Sequence, residues 1–236
     1  MNRTLTTAAV SILASSLAPA SVEQPAPGDW QRTFNIGAGD VATAGESPYF
    51  ILKPGSQLTL EGKEDGKTVR LVVTVLDETK IVGGIEARVV EERESEDGAL
   101  VEVSRNFMAI HKTTRDVYYL GEEVDIYKNG KVARHEGAWE SGKNGARFGL
   151  MVPGHAEVGA RFYQEIAPGV AMDRARIVAI DASIRTPAGE FKGCLEFVET
   201  TPLEPLARDT KIYAPGIGLV KDGSLLLVEH GRKEKQ

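Results

Sequence analysis

The chain has 236 residues, with 28 Lys and Arg against 34 Asp and Glu, four His and a single Cys. A formal charge of −6 argues against nucleic acid or an anionic membrane surface as the main partner. One cysteine excludes an internal disulfide, so stability has to come from a packed core.

The N-terminus opens on a short basic start, Met1-Asn2-Arg3, followed by an apolar run from Thr4 to Leu17 and the small-x-small triplet Ala18-Pro19-Ala20. This pattern predicts a signal peptide over 1–20, with the mature chain starting near Ser21. The run is too short and too broken by Thr and Ser to span a bilayer. No other stretch approaches the roughly 20 apolar residues of a transmembrane helix. No cysteine follows the cleavage site, so the pattern carries no lipid-anchor signal. A soluble periplasmic or secreted protein is expected. Cleavage removes only Arg3 among the charged residues, leaving 27 basic against 34 acidic side chains and a charge of −7. The remaining 216 residues suffice for one domain, since a chain of that size buries about 70 % of its unfolded surface.

Residues 21–46 are rich in Pro, Ala and Gly and read as a flexible leader, with Trp30, Phe34 and Ile36 available to dock on the body. A single β domain is expected over 47–230, and 231–236 reads as a disordered tail. The domain opens on Ser47 to Leu52 and a Lys53-Pro54-Gly55 turn. From there Asp65-Gly66, Gly83-Gly84, Asp97-Gly98, Asn129-Gly130 and Asp222-Gly223 mark two-residue hairpin loops.

Between these loops the period is two. Val69, Leu71, Val73 and Val75 point one way, and Ile85, Ala87 and Val89 repeat the pattern against Glu86 and Arg88. Val101, Val103, Phe107 and Ala109 continue it, with Arg105 out of phase. Further strands are expected at 117–128, 131–138, 161–166, 174–185, 190–200, 208–213 and 224–229. Helix has only two weak candidates, a turn within 203–208 and a short piece near 144–150. The fold class is therefore all-β, a single antiparallel sheet curled into an open barrel or sandwich, mainly meander, with very little helix. Near the end, Tyr213 to Val220 contains Pro215-Gly216, the centre of a type II turn, and Gly218, which suits a bulge. This corner has a complete backbone explanation, and no side chain in it is left for chemistry.

Catalytic motifs are missing. There is no Gly-x-Ser-x-Gly elbow, no phosphate-binding loop, no Cys-x-x-Cys and no His-Glu-x-x-His. The histidines His111, His135, His155 and His230 show no ligand spacing, and His135 and Glu136 would face opposite sides of a strand. No metal site and no cofactor are expected. Cys194 lacks a nearby base or positive setting and reads as a small, partly buried thiol. Carboxylates are abundant: Glu122, Glu123, Asp125, Glu136, Glu140, Glu165, Asp173, Glu196, Glu199 and Glu204. Inside a barrel, some would converge with Trp139 and Tyr163 on a cation, an amine or a hydroxylated ligand. The plainer alternative is that they face water.

Several segments carry a resemblance. Pro48 to Gly55 (Pro-Tyr-Phe-Ile-Leu-Lys-Pro-Gly), Gly121-Glu122, Glu136 to Gly142, Gln164-Glu165, Asp173-Arg174-Ala175, Thr201 to Pro205 and the Tyr-Ala-Pro-Gly corner at 213–216 recur in this order. Together they resemble a family of uncharacterised bacterial exported proteins, across about 48–222. The resemblance implies an exported, β-rich single domain and carries no activity with it. This chain departs from the family pattern at Asn106 and His111 (usually aspartates), Met172 (usually a glutamate) and Tyr118 (usually a tryptophan). If those acids form a cation site, the site here is weakened or its ligand changed.

Three functions remain open. The first is a periplasmic or secreted binding protein for a small, apolar or lipid-like ligand, with Glu122, Trp139, Glu165 and Asp173 as lining residues because they fall in the family-like segments. The second is an envelope scaffold that docks a partner on its sheet edges. The third is a hydrolase built on a carboxylate pair. Oligomeric state has no signature in the sequence.

Overall fold

Turn chemistry sets the frame. Asp65-Gly66, Gly83-Gly84, Asp97-Gly98 and Asn129-Gly130 have positive φ at both positions, the type I′ backbone whose twist matches the strands it joins. The computed structural model describes residues 29–233. The expected signal peptide and the last three residues lie outside that range.

Three short strands come first: β1 (Val41–Ala42), β2 (Gly45–Ser47) and β3 (Phe50–Leu52). Five long ones follow: β4 (Ser56–Glu64), β5 (Lys67–Val82), β6 (Ile85–Glu96), β7 (Ala99–His111) and β8 (Val117–Lys128). Shorter pieces fill the middle: β9 (Lys131–Arg134), β10 (Trp139–Glu140), β11 (Arg147–Val152), β12 (Arg161–Tyr163) and β13 (Glu165–Ile166). The chain ends with β14 (Arg174–Thr186), β15 (Gly189–Thr200), β16 (Arg208–Ala214), β17 (Gly218–Asp222) and β18 (Leu225–Arg232). No helix occurs among the described residues. The piece expected near 144–150 is β11, and 203–208 contains only a turn, closed by the Ala207 N–H on the Glu204 carbonyl.

All but β2 and β3 belong to one antiparallel sheet. Two meanders, β4 to β8 and β14 to β18, are joined where β18 pairs with β4, from Leu226↔Glu61 to Arg232↔Ser56. The sheet curls into a barrel that is nearly closed and has an unsealed seam. At the seam a single stretch changes partner. Arg161–Tyr163 pairs with β14, whereas Glu165–Ile166 pairs with β11, so the switch falls on Gln164. Gly149 of β11 sits against this switch: a Cβ there would stand 2.3 Å from the Tyr163 carbonyl oxygen and 2.4 Å from that of Gln164.

Residues 29–46 do not behave as a loose leader. Gln31 forms a parallel bridge with Phe162, accepting from the Tyr163 N–H and donating to the Arg161 carbonyl. It thereby covers the free edge of β12. Trp30 packs edge-on to Tyr163 at 6.2 Å, with the Arg174 guanidinium 4.4 Å over its ring. Phe34 meets Tyr118 at 5.9 Å, and β1 pairs with β7. Aromatic area and an otherwise unpaired strand edge explain the attachment.

Two further expectations change and one stands. Arg88 was expected on the exposed face of β6, yet it is buried, donating to the carbonyls of Thr43, Leu76 and Glu78 where β5 bulges between Val75 and Thr79. The β17–β18 loop is Gly223-Ser224 rather than Asp222-Gly223, because Asp222 remains in the strand, opposite Leu225. The Pro215-Gly216 turn is present, with Ile217 N–H on the Ala214 carbonyl and Gly216 at φ 69°. Its Gly216 N–H also donates to the Pro48 carbonyl, tying the closing corner to the β2–β3 hairpin.

Two glycines separate the costs of space and of backbone. Gly149→Ala is expected to force the seam apart and cost about 1–3 kcal/mol, a clear drop in Tm. At Gly216 an added Cβ meets no atom within 4 Å, so the loss of about 1 kcal/mol or more expected for Gly216→Val should come chiefly from backbone strain. Unchanged thermal unfolding in either variant would contradict the geometry.

Candidate functional site

Residues paired across an antiparallel ladder share a face of the sheet. The register therefore lays out the inner wall in rows. Val75, Val90, Asn106 and Glu122 form one row; Val73, Glu92, Ser104 and Val124 the next; Leu71, Glu94, Glu102 and Ile126 a third. The inner face runs from apolar on β5 to acidic on β6, β7 and β8. The alternation of Val101, Val103, Phe107 and Ala109 is real, but these side chains lie on the outer face of β7, and its polar face is the inner one. Phe107 is buried on the outside, beneath the Lys80 ammonium at 4.3 Å from its ring.

The barrel encloses a cavity of about 420 Å³. One side is apolar, with Leu58, Leu71, Val73 and Val75 joined by Phe50 and Ile51 of β3 and by Ile217 and Leu219 of the closing corner. That corner, expected to be architecture alone, thus forms the apolar end of the cavity. Elsewhere the lining carries eleven carboxylates against one lysine and no arginine.

Of the four residues expected to line a site, Glu122, Glu165 and Asp173 border this cavity together. Trp139 does not. It is buried against Tyr119, ring centroids 5.2 Å apart, and borders a neighbouring cavity of about 210 Å³. Its Nε1–H meets no acceptor among the described residues. Glu199, Glu204 and Glu136 also border the main cavity, whereas Glu123 and Glu140 pair with Lys80 on the outer wall. Asp125 pairs with His135 at 2.6 Å on the surface. Of the departures from the family pattern, Asn106 and Met172 border the cavity; His111 and Tyr118 do not. Sequence reasoning missed Glu92, Glu94, Glu102, Asp209, Lys211 and Asp222. The one signal available was acidic alternation in β6 and β7 that fell out of phase with the valines.

The polar groups form a connected set. The Lys211 ammonium lies 3.1 Å from Glu199 Oε2 and 3.8 Å from Asp222. The other Glu199 oxygen accepts from Gln164 Nε2 at 2.7 Å. The Asp173 N–H donates to Glu165 Oε1 at 2.6 Å, and the Gln164 N–H donates to the Asp173 carbonyl at 2.8 Å. Across the lumen, the Tyr119 hydroxyl donates to Asn106 Oδ1 at 2.6 Å. Gln164 Oε1, on a buried side chain that borders the cavity, accepts nothing among the described residues.

Burial pushes the Glu122 carboxyl up to about 8, opposed by its polar contact with Tyr119 and reinforced by Glu102, Glu92 and Asp173. Burial, then repulsion from Glu199, pushes Asp173 up to about 7. Glu165 is also held well above the usual carboxylate range by burial and then by Asp173, Glu122 and Glu199. For Lys211, burial works against the ammonium, and Asp222 and Glu199 outweigh it. Cys194, expected to be partly buried, is fully buried, and burial raises its thiol. Among the described residues no group of three or more His, Cys, Asp or Glu is placed to hold a metal ion, and no helix is long and apolar enough to cross a membrane.

No protein-family model matches the sequence, and no curated protein matches it. Among solved structures, a protein of Parabacteroides distasonis described as a "putative lipoprotein" is similar, at 13 % identity and a TM-score of 0.37. The likeness covers 79 % of this chain and 100 % of that one, and it is too loose to bear on function.

A carboxyl whose folded pKa is raised contributes stability below its unfolded pKa and loses it as pH rises through the folded value. For Glu122 the window runs from 4.5 to about 8. Wild-type stability should fall across that window. Glu122→Gln should shrink the fall by about 1–2 kcal/mol, a figure discounted because part of the carboxylate faces the cavity. Denaturant titrations at pH 5 and pH 8.5 measure it, and an identical fall in the variant would refute the assignment.

Proposed function

We propose that this is an exported binding protein whose lumen holds a small, partly apolar molecule. The observation that carries the proposal is the convergence of Glu122, Gln164, Glu165, Asp173 and Glu199 on one cavity whose opposite side is apolar. A volume of about 420 Å³ lies within the ordinary range of small-molecule sites. The apolar side supplies burial, and the polar groups fix orientation. A scaffold acting only through its sheet edges has no use for acids turned inward, where desolvation costs stability. Export rests on the N-terminal pattern of a basic start, an apolar run and a cleavage triplet.

The full chain, produced in a host that secretes it, should start near Ser21 by intact mass. Native mass spectrometry should show a non-covalent adduct of a few hundred daltons that denaturation releases. Bare polypeptide in every preparation would count against the binding role, and an uncleaved N-terminus would count against export.

A further inference from the structure

We propose that the lumen recognises a protonated amine, an organic ammonium with N–H donors on an apolar body, at Gln164, Glu165 and Asp173 beside the seam. This rests on the binding reading above and names the ligand's chemistry.

Three observations converge on it. The first is charge: carboxylates line the cavity eleven to one over lysine, and a buried anion is stabilised chiefly by a cation. The second is Lys211, whose ammonium is already held in this lumen by Glu199 at 3.1 Å and Asp222 at 3.8 Å. The wall is therefore built to solvate an R–NH₃⁺ group. The third is the Gln164 amide. Glu199 needs a donor, so it takes Nε2 at 2.7 Å and fixes the orientation of the amide. Oε1 is left as a buried acceptor with no donor among the described residues. A buried acceptor of this kind calls for an N–H or O–H from a ligand.

Charge decides between those donors. A hydroxyl satisfies Gln164 alone, whereas an ammonium also favours the carboxylate forms of Glu165 and Asp173, which burial otherwise pushes toward protonation and of which Asp173 has Lys211 as a nearby cation. A metal ion is disfavoured by geometry, since no group of three or more ligands among the described residues is placed to hold one. The apolar side formed by Leu71, Val73 and Val75 would take the carbon skeleton.

Calorimetric titration of the full chain with three probes of equal chain length tests this: octylammonium, octanol and octyltrimethylammonium. The primary ammonium should bind at least about tenfold more tightly than either of the others, because only it brings both charge and N–H donors. Glu165→Gln should weaken the ammonium by about tenfold and leave octanol unchanged. Glu122→Gln, on β8, gives the same comparison if Glu165→Gln does not fold. Equal affinity for octanol or for the quaternary ion overturns the amine assignment and leaves the lumen as a binding site. No binding of any probe to folded protein overturns both.

Discussion

The structure depends on how the curled sheet disposes of its last two edges. A strand edge exposes N–H and C=O groups that must find partners, and complete closure would give the final pair to each other. Here the closing segment divides itself, with Arg161–Tyr163 on β14 and Glu165–Ile166 on β11. The division needs a backbone approach that only a glycine at 149 permits, and it leaves one side of β12 for Gln31 to cover. The site follows from the same choice. Gln164 stands at the point of division, Glu165 begins the new ladder, and Asp173 precedes β14 and holds both through its carbonyl and N–H.

An acidic lumen works against the fold that contains it. Glu122, Glu165 and Asp173 are all displaced toward the protonated state, and burial is the first cause for each. A core of the same shape made from leucine would be more stable. The apolar packing that offsets this lies on both faces of the sheet. Phe107, Val103 and Ala109 are buried outside the barrel wall, and Leu71, Val73 and Val75 inside it. Lys211 relieves one part of the lumen only.

Strand positions were legible because turn residues and period-two alternation are local. Val117 to Lys128 and Arg174 to Thr186 fell within a residue of their expected bounds. The inward face was not legible. In an ordinary half-buried sheet the apolar face is the inner one, and that rule fails on β7, where Glu102, Ser104 and Asn106 line the lumen and Phe107 is buried outside. Which side of a strand meets the lumen depends on closure, a property of all the strands together. The leader was misread for a similar reason: Gln31 and Trp30 find partners at 161–174, far along the chain. Trp139 was expected in the lining because it falls in a family-like segment; its backbone does stand opposite Glu122, but its ring packs against Tyr119 and does not border the main cavity.

The joint between the two meanders has a kinetic meaning. Most of the main ladders unite strands near each other in the chain, but β4 pairs with β18, Ser56 opposite Arg232. During synthesis the first long strand has β5 on one side within moments, while its other edge waits for the last strand to appear. At ordinary elongation rates that wait is roughly 10–30 s, and long-range strand pairing is slow in its own right. The waiting edge is not bare hydrophobic sheet. Glu61, Lys63 and Glu64 place charges along it, which discourages pairing with a second nascent chain until Leu226 and Leu227 arrive to take the place.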